Sequence, residues 1–185
     1  MTTRNKQSSI GGAISGLLLF VLLIWAIEIL NYVLGHPLSN LGIFPRNARG
    51  LPGILLTPFI HHGFEHTIMN TISLIILGIL ISLKNYRILF KISLFIIIVG
   101  GLGVWLFGRP ASHIGASGLV FGYFGFLVAR GWYARDFGSI VISVVTIVFY
   151  GGMIFGIFPG QVYISWEAHL FGFVAGILSA RFFSS

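Results

Sequence analysis

One hydroxyl stands among glycines in His113-Ile114-Gly115-Ala116-Ser117-Gly118, and two further polar stretches, His66-x-x-x-Asn70 and Ala168-His169, lie on either side of it in the chain. A serine becomes a nucleophile when a base takes its proton, and histidine is the usual base. The amides of a helix N-terminus, helped by imidazole and carboxamide donors, can hold the oxyanion that acyl transfer creates. These residue types therefore suit acyl transfer, with Ser117 as nucleophile, His169 as base and His66 and Asn70 as added donors. Gly115 and Gly118 flank the serine. No carboxylate completes a triad. Glu167 is two residues from His169, about 200° round a helix, so it does not easily orient the ring. That task falls to packing against an aromatic, and Phe121, one turn beyond Ser117, is the candidate.

The elements that must position these groups are membrane helices. The chain has 185 residues, of which 56% are hydrophobic and 8% charged, and a mean hydropathy of +0.98. A soluble domain carries roughly 25% charged residues, so the composition describes an integral membrane protein. There is room for about six spans of ~20 residues. No cysteine is present, which excludes disulfides, thiolate metal sites and a cysteine nucleophile. The net charge of +7 is scattered through loops, where it sets orientation rather than binding nucleic acid.

Residues 1–9 read as a polar tail. The apolar run from about Ile10 to Leu34 is too long for the core of a cleaved signal peptide and reads as a retained first span. Glu28 lies inside it, where a carboxylate flags function unless it reaches water near the helix end. Residues 35–59 form a long connection whose four prolines deny it a long helix, and its Leu, Ile and Phe content implies a half-embedded loop. Further spans follow over about 61–83, 89–107, Ser117 to Arg130-Gly-Trp132-Tyr133, 137–158 and Trp166 to Arg181. Trp105, Trp132, Tyr133, Tyr163 and Trp166 stand at span ends, where amphipathic rings prefer the interface. Six spans put both termini on one side with Arg4, Lys6, Lys84, Arg87, Lys91, Arg130, Arg135 and Arg181, against Arg46, Arg49 and Arg109 on the other. That bias makes both termini cytoplasmic.

Depth links the elements to the chemistry. Ser117 precedes Arg130 by thirteen residues, about 20 Å of helix, whereas the hydrocarbon core is about 30 Å thick. The fourth helix is therefore short and starts mid-membrane, about 10 Å below the outer surface. Irregular backbone at that depth must be buried in protein or line a water-filled cavity, so a cavity open to the outside is expected above Ser117. The same ruler sets His169 about 18 Å from Arg181 and Asn70 about 21 Å from Lys84. Ser, His and Asn thus share one level on three helices. Ala168, Gly172, Gly176 and Ala180 on the sixth span and Gly118, Gly122 and Gly125 on the fourth form small-residue faces that let backbones approach, and predict contact between those two helices.

His66-x-x-x-Asn70, Gly115-x-Ser117-Gly118 and Ala168-His169-x-x-Gly172-x-x-x-Gly176 resemble, in order and on spans two, four and six, the three motifs of the rhomboid family of intramembrane serine proteases. The resemblance covers about residues 10–183 and matches the minimal six-helix form. It implies an all-α six-transmembrane bundle, a single membrane domain across residues 1–185, that cleaves transmembrane segments of other proteins near the outer face. By that resemblance Ser117 is the nucleophile, His169 the base, and the Ser117 N–H with His66 and Asn70 the oxyanion hole. Phe121 stands where many members stack an aromatic, commonly Tyr, on the histidine. Many members also carry a Trp-Arg pair in the first loop; Pro45-Arg46 and Arg49 stand there instead.

Plainer readings exist for each residue. Ser117 could be a helix-packing residue, His169 a histidine satisfied by a backbone carbonyl, and His66 and Asn70 anchors of the long loop. His113 reads as satisfying the backbone of the loop before Ser117, and His36 as an isolated, solvated residue. His62-x-x-Glu65-His66 matches an inverted zinc-protease signature, but it leaves Ser117 and His169 unexplained, so no metal and no cofactor is expected. A client-binding protein without protease activity is the other rival. The expected partners are the bilayer and transmembrane substrates bearing helix-destabilising residues, since a helical peptide bond is shielded by its own hydrogen bonds; nucleic acid is not expected. The expected location is a prokaryotic plasma membrane, with the site open to the extracytoplasmic side. The first loop and the fifth span, with Gly151-Gly152, are the candidates for gating substrate access.

Overall fold

The computed structural model describes residues 3–83, 86–160 and 164–184; the expectations resting on Lys84 and Tyr163 lie outside them. Six long helices carry the fold: α1 (Thr3–Val33), then, after the four-residue α2 (Gly53–Leu56), α3 (Phe64–Ser82), α4 (Tyr86–Phe107), α5 (Ser117–Ala134), α6 (Phe137–Tyr150) and α7 (Trp166–Phe183). Among the described residues four segments, Ile14–Val33, Phe64–Ser82, Arg87–Phe107 and Phe137–Ile157, are long and apolar enough to cross a membrane. The chain is a multi-pass membrane protein. The helices α5 and α7 are less apolar because they spend positions on glycine and on the polar site residues.

Three features differ from the sequence expectation: one helix boundary, the helix type at the end of one span, and the surroundings of Glu28. Helix α1 runs back to Thr3, through residues read as a tail. The fifth span keeps its expected bounds, Phe137–Ile157, but it is not α-helical throughout: α6 ends at Tyr150 and the chain tightens into a 3-10 turn over Gly151–Ile157. Glycines at 151 and 152 weaken the α-helix there. Glu28 does not reach water. It is fully buried, and its Oε1 accepts the Gly63 N–H at 2.8 Å. Gly63 caps α3 with φ +106, and a carboxylate suits the positive end of that helix.

Helix α5 is the hub. Its side chains from Leu119 to Leu127 are buried, and it packs on α3, α4, α6 and α7. The tightest pairing is with α7. A Cβ on Gly172 would run into the Gly118 carbonyl, and one on Gly176 into the Gly122 carbonyl. This register repeats every four residues along both helices, so they run parallel. Helix α1 joins the group through α3: Leu17 lies against Gly78, and Trp25 Nε1 donates to Thr71 Oγ1 at 3.2 Å.

The long first loop has no long helix; it is built of short 3-10 turns and α2. It is anchored on protein. Ile43 and His113 exchange both main-chain hydrogen bonds, at 3.0 and 2.9 Å, and Ile43, Ile54, Thr57, Pro58 and Ile60 are buried. Arg46, at the place of the absent Trp-Arg pair, donates through Nη1 to the carbonyls of Leu106 and Gly108 at 3.1 and 3.0 Å. A cation there satisfies the open C-terminal carbonyls of α4.

Candidate active site

The segment before α5 is held from two sides, which sets where Ser117 sits. Gly115 N–H donates to the Thr57 carbonyl at 3.1 Å, and Thr57 Oγ1 donates to the His113 carbonyl at 3.1 Å. Gly115 has φ +110, and a Cβ there would press on the His66 ring, 2.7 Å from Cε1, with Asn70 Nδ2 at 3.7 Å. The glycine is required twice, by its backbone conformation and by the two side chains lying against it.

An open cavity of about 900 Å³ collects Ser117, His169, His66, Asn70 and Phe121, with Tyr150 and Met153 among its walls. Asn70 is 6% exposed, and its Nδ2 is buried without a hydrogen-bond partner. A carboxamide donor left unpaired in a buried place is costly, and here it lies near Gly115, 3.7 Å from its Cβ position. The first amides of α5 have no acceptor within the helix. Asn70, His66 and Ser117 line one cavity.

His169 is oriented by two groups. Its ring stacks on Phe121 with centroids 4.0 Å apart and planes within 5°. Its Nδ1 lies 2.9 Å from the Gly156 carbonyl oxygen. A carbonyl only accepts, so Nδ1 carries the proton and Nε2 keeps its lone pair. That is the tautomer a base acting through Nε2 needs. Among the described residues no hydrogen bond joins Ser117 Oγ to the His169 ring. Such bonds are often long before substrate binds and tighten in the complex. The α5–α7 register nevertheless brings Gly118 within contact of the Ala168 carbonyl, 3.3 Å from the Cβ position of the glycine, so Ser117 and His169 sit on facing turns.

Two contributors were not singled out from sequence. His61 is fully buried, and its Nε2 accepts the Ala116 N–H at 3.2 Å. Burial, and next the nearby His66, lower its pKa to about 3, so it stays neutral and can accept. Its signal was the spacing His61-x-x-x-x-His66, overlooked beside the His-x-x-Glu-His match. Gly156 went unnoticed as one glycine among 25, because the group that reaches His169 is its carbonyl.

The remaining polar residues brace the rim. His113 Nδ1 lies 2.6 Å from Ser165 Oγ and Nε2 lies 3.1 Å from the Arg109 carbonyl; burial lowers its pKa, against the pull of that carbonyl. Glu167 faces Arg109, accepting its N–H at 3.3 Å with Nε at 3.6 Å. His36 is not isolated; its ring lies 4.8 Å from that of His62. Glu65 lines the cavity with His62 and His66, and among the described residues no three His, Asp or Glu side chains converge as a metal-binding group.

A family model described as Rhomboid domain matches residues 49–185. An uncharacterized protein of Mycobacterium tuberculosis is 37% identical over 193 residues, covering 100% of this chain and 80% of the relative. One from Mycobacterium leprae is 33% identical over 195 residues, covering 100% and 76%. The protein named RHOMBOID-like protein 1 of Arabidopsis thaliana is 31% identical over 129 residues, covering 65% of this chain and 31% of that relative.

Proposed function

The chain belongs to the rhomboid family, and from that premise we propose that it is an intramembrane serine endopeptidase acting on transmembrane segments of other membrane proteins. The observation that carries this reading is the oriented ring of His169. Stacked on Phe121 and bonded through Nδ1 to the Gly156 carbonyl, it has Nε2 free in the cavity that holds Ser117. In the proposed reaction Nε2 takes the Ser117 hydroxyl proton as Oγ attacks a substrate carbonyl. The oxyanion is held by the first amides of α5, Asn70 Nδ2 and the His66 ring. The imidazolium then protonates the leaving amine, the C–N bond breaks and an acyl-enzyme remains. Water attacks the ester as Nε2 takes its proton; the ester C–O bond then breaks, and the imidazolium returns the proton to Ser117 Oγ, freeing the acid and the serine.

In this reading all six long helices cross the bilayer of a prokaryotic plasma membrane as one domain. Both termini are cytoplasmic, α5 starts mid-membrane and the cavity opens outward, as the cationic residues and the 13-residue distance from Ser117 to Arg130 support. The test is covalent trapping. A fluorophosphonate reagent should attach to the peptide containing Ser117 in the wild type and fail to attach in His169→Ala. Labelling that persists in Ser117→Ala would contradict the assignment. A wild type that binds a transmembrane substrate but neither labels nor cleaves it would make the protein a client binder instead.

A further inference from the structure

We infer that the main-chain carbonyl of Gly156 is the orienting third member of the site, doing for His169 what a carboxylate does for the base of a triad. The inference rests on the proposed serine-protease reading and adds a positioning residue to it. A triad carboxylate has two tasks: it holds the imidazole in the tautomer whose Nε2 is free, and it takes up charge when the imidazolium forms. The Gly156 oxygen, 2.9 Å from Nδ1, meets the first directly and serves the second as a dipole. Among the described residues no carboxylate is hydrogen-bonded to the His169 ring. Glu167, the acid nearest in sequence, is turned toward Arg109.

The position is built for a carbonyl and nothing more. A Cβ on residue 156 would stand 2.8 Å from Phe121 Cζ and 3.3 Å from His169 Nδ1. Any side chain there pushes apart the stacked pair it adjoins, whereas glycine lets the backbone come up to the ring. Main-chain acceptor, imidazole and Phe121 ring therefore form one packed unit drawn from three elements.

The acceptor also lies on a segment with a second task. The 3-10 turn over Gly151–Ile157 carries Met153, which lines the cavity, and Tyr150 directly precedes it. The turn packs on α7, while α6, to which it is joined, packs chiefly on α5. Displacing the turn to admit a substrate would break the bond to Nδ1, so the base is set only when the turn is seated. Binding and proton transfer are thereby linked through one hydrogen bond.

The direct test reads the tautomer. Long-range ¹⁵N–¹H spectra of ¹⁵N-histidine-labelled protein, with His169 assigned by comparison with His169→Gln, should show Nδ1 protonated and Nε2 bare. An Nε2–H tautomer, or rapid exchange between the two, would overturn the inference whether or not the protein is a protease. The second test weakens the acceptor without adding atoms. Replacing Ile157 by its α-hydroxy acid turns the 156–157 amide into an ester, whose carbonyl is a poorer acceptor. The ester should lower kcat roughly tenfold, a loss of about 1.4 kcal/mol of transition-state stabilisation, with KM unchanged. The same replacement at Phe155, which alters the Ile154 carbonyl, serves as control. Equal kcat in the two esters would refute the role of Gly156 and leave Ser117 labelling, and with it the protease reading, intact.

Discussion

Gly172 lies against the main chain of Gly118 with no room for a side chain between them. Each of these glycines is next to, or one turn from, a residue of the candidate dyad, so this contact sets the distance at which Ser117 and His169 face each other. Close approach of membrane helices through small residues is a packing device; in the proposed protease it would also set reaction geometry.

Enlarging that contact should therefore cost both stability and rate. Gly172→Val is expected to lose about 1–3 kcal/mol through overpacking and to lower cleavage more than thermal stability alone explains. Thermal melting and turnover below the melting range check this together. An unchanged rate would mean that the register does not position the dyad.

Asn70→Ala separates the oxyanion role from the loop-anchoring one. Its Nδ2 has no partner in the free protein, so the melting temperature should barely move. If Nδ2 binds the developing oxyanion, kcat should fall on the order of 10²-fold at similar KM. A large drop in melting temperature with little change in kcat would return Asn70 to a structural role.

Phe121→Leu removes the ring stacked on His169 while keeping bulk. Aromatic stacking is worth about 0.5–1.5 kcal/mol, and a freed imidazole is misaligned more often, so kcat should fall several-fold with KM nearly unchanged. Steady-state kinetics in liposomes decide it. Equal kcat would show that the Gly156 carbonyl orients the ring alone.

Acid should destabilise the fold through His61. Its folded pKa is lowered from 6.5 to about 3, by burial first and by His66 second. Above pH 6.5 neither state is protonated and no penalty exists. Between about 6.5 and 3 the unfolded chain takes up a proton that the folded one refuses, so stability falls as pH falls. The lowered pKa of His113 acts in the same direction. Melting temperatures measured from pH 7.5 down to 4.5 should decline, and His61→Gln should flatten part of the decline.

Much of this was legible in the sequence, and the losses have physical reasons. Hydropathy and glycine spacing mark the long helices and the α5–α7 face, because both follow from side-chain identity. The fourth helix was expected to begin near Ser117, and α5 begins there. What stayed hidden depends on backbone groups. The Gly156 carbonyl, the Ile43–His113 bridge and the conversion of residues 151–157 to a 3-10 turn leave no signature in residue type beyond the glycines at 151, 152 and 156. The role of Glu28 stayed open because its neighbours in sequence are apolar, whereas its partner, the Gly63 amide, comes from the start of another helix.

The central claim is that Ser117 and His169 cut peptide bonds within membrane segments, and proteolysis in liposomes tests it most directly. A substrate segment bearing Gly or Pro near the cut would be offered to wild type, Ser117→Ala, His169→Ala and Glu65→Gln, with and without a metal chelator. The account predicts cleavage by wild type and Glu65→Gln, insensitive to chelator, loss of at least about 10³-fold in both dyad variants, and slower cleavage when the Gly or Pro becomes Leu. Cleavage that survives Ser117→Ala and stops with chelator would contradict it.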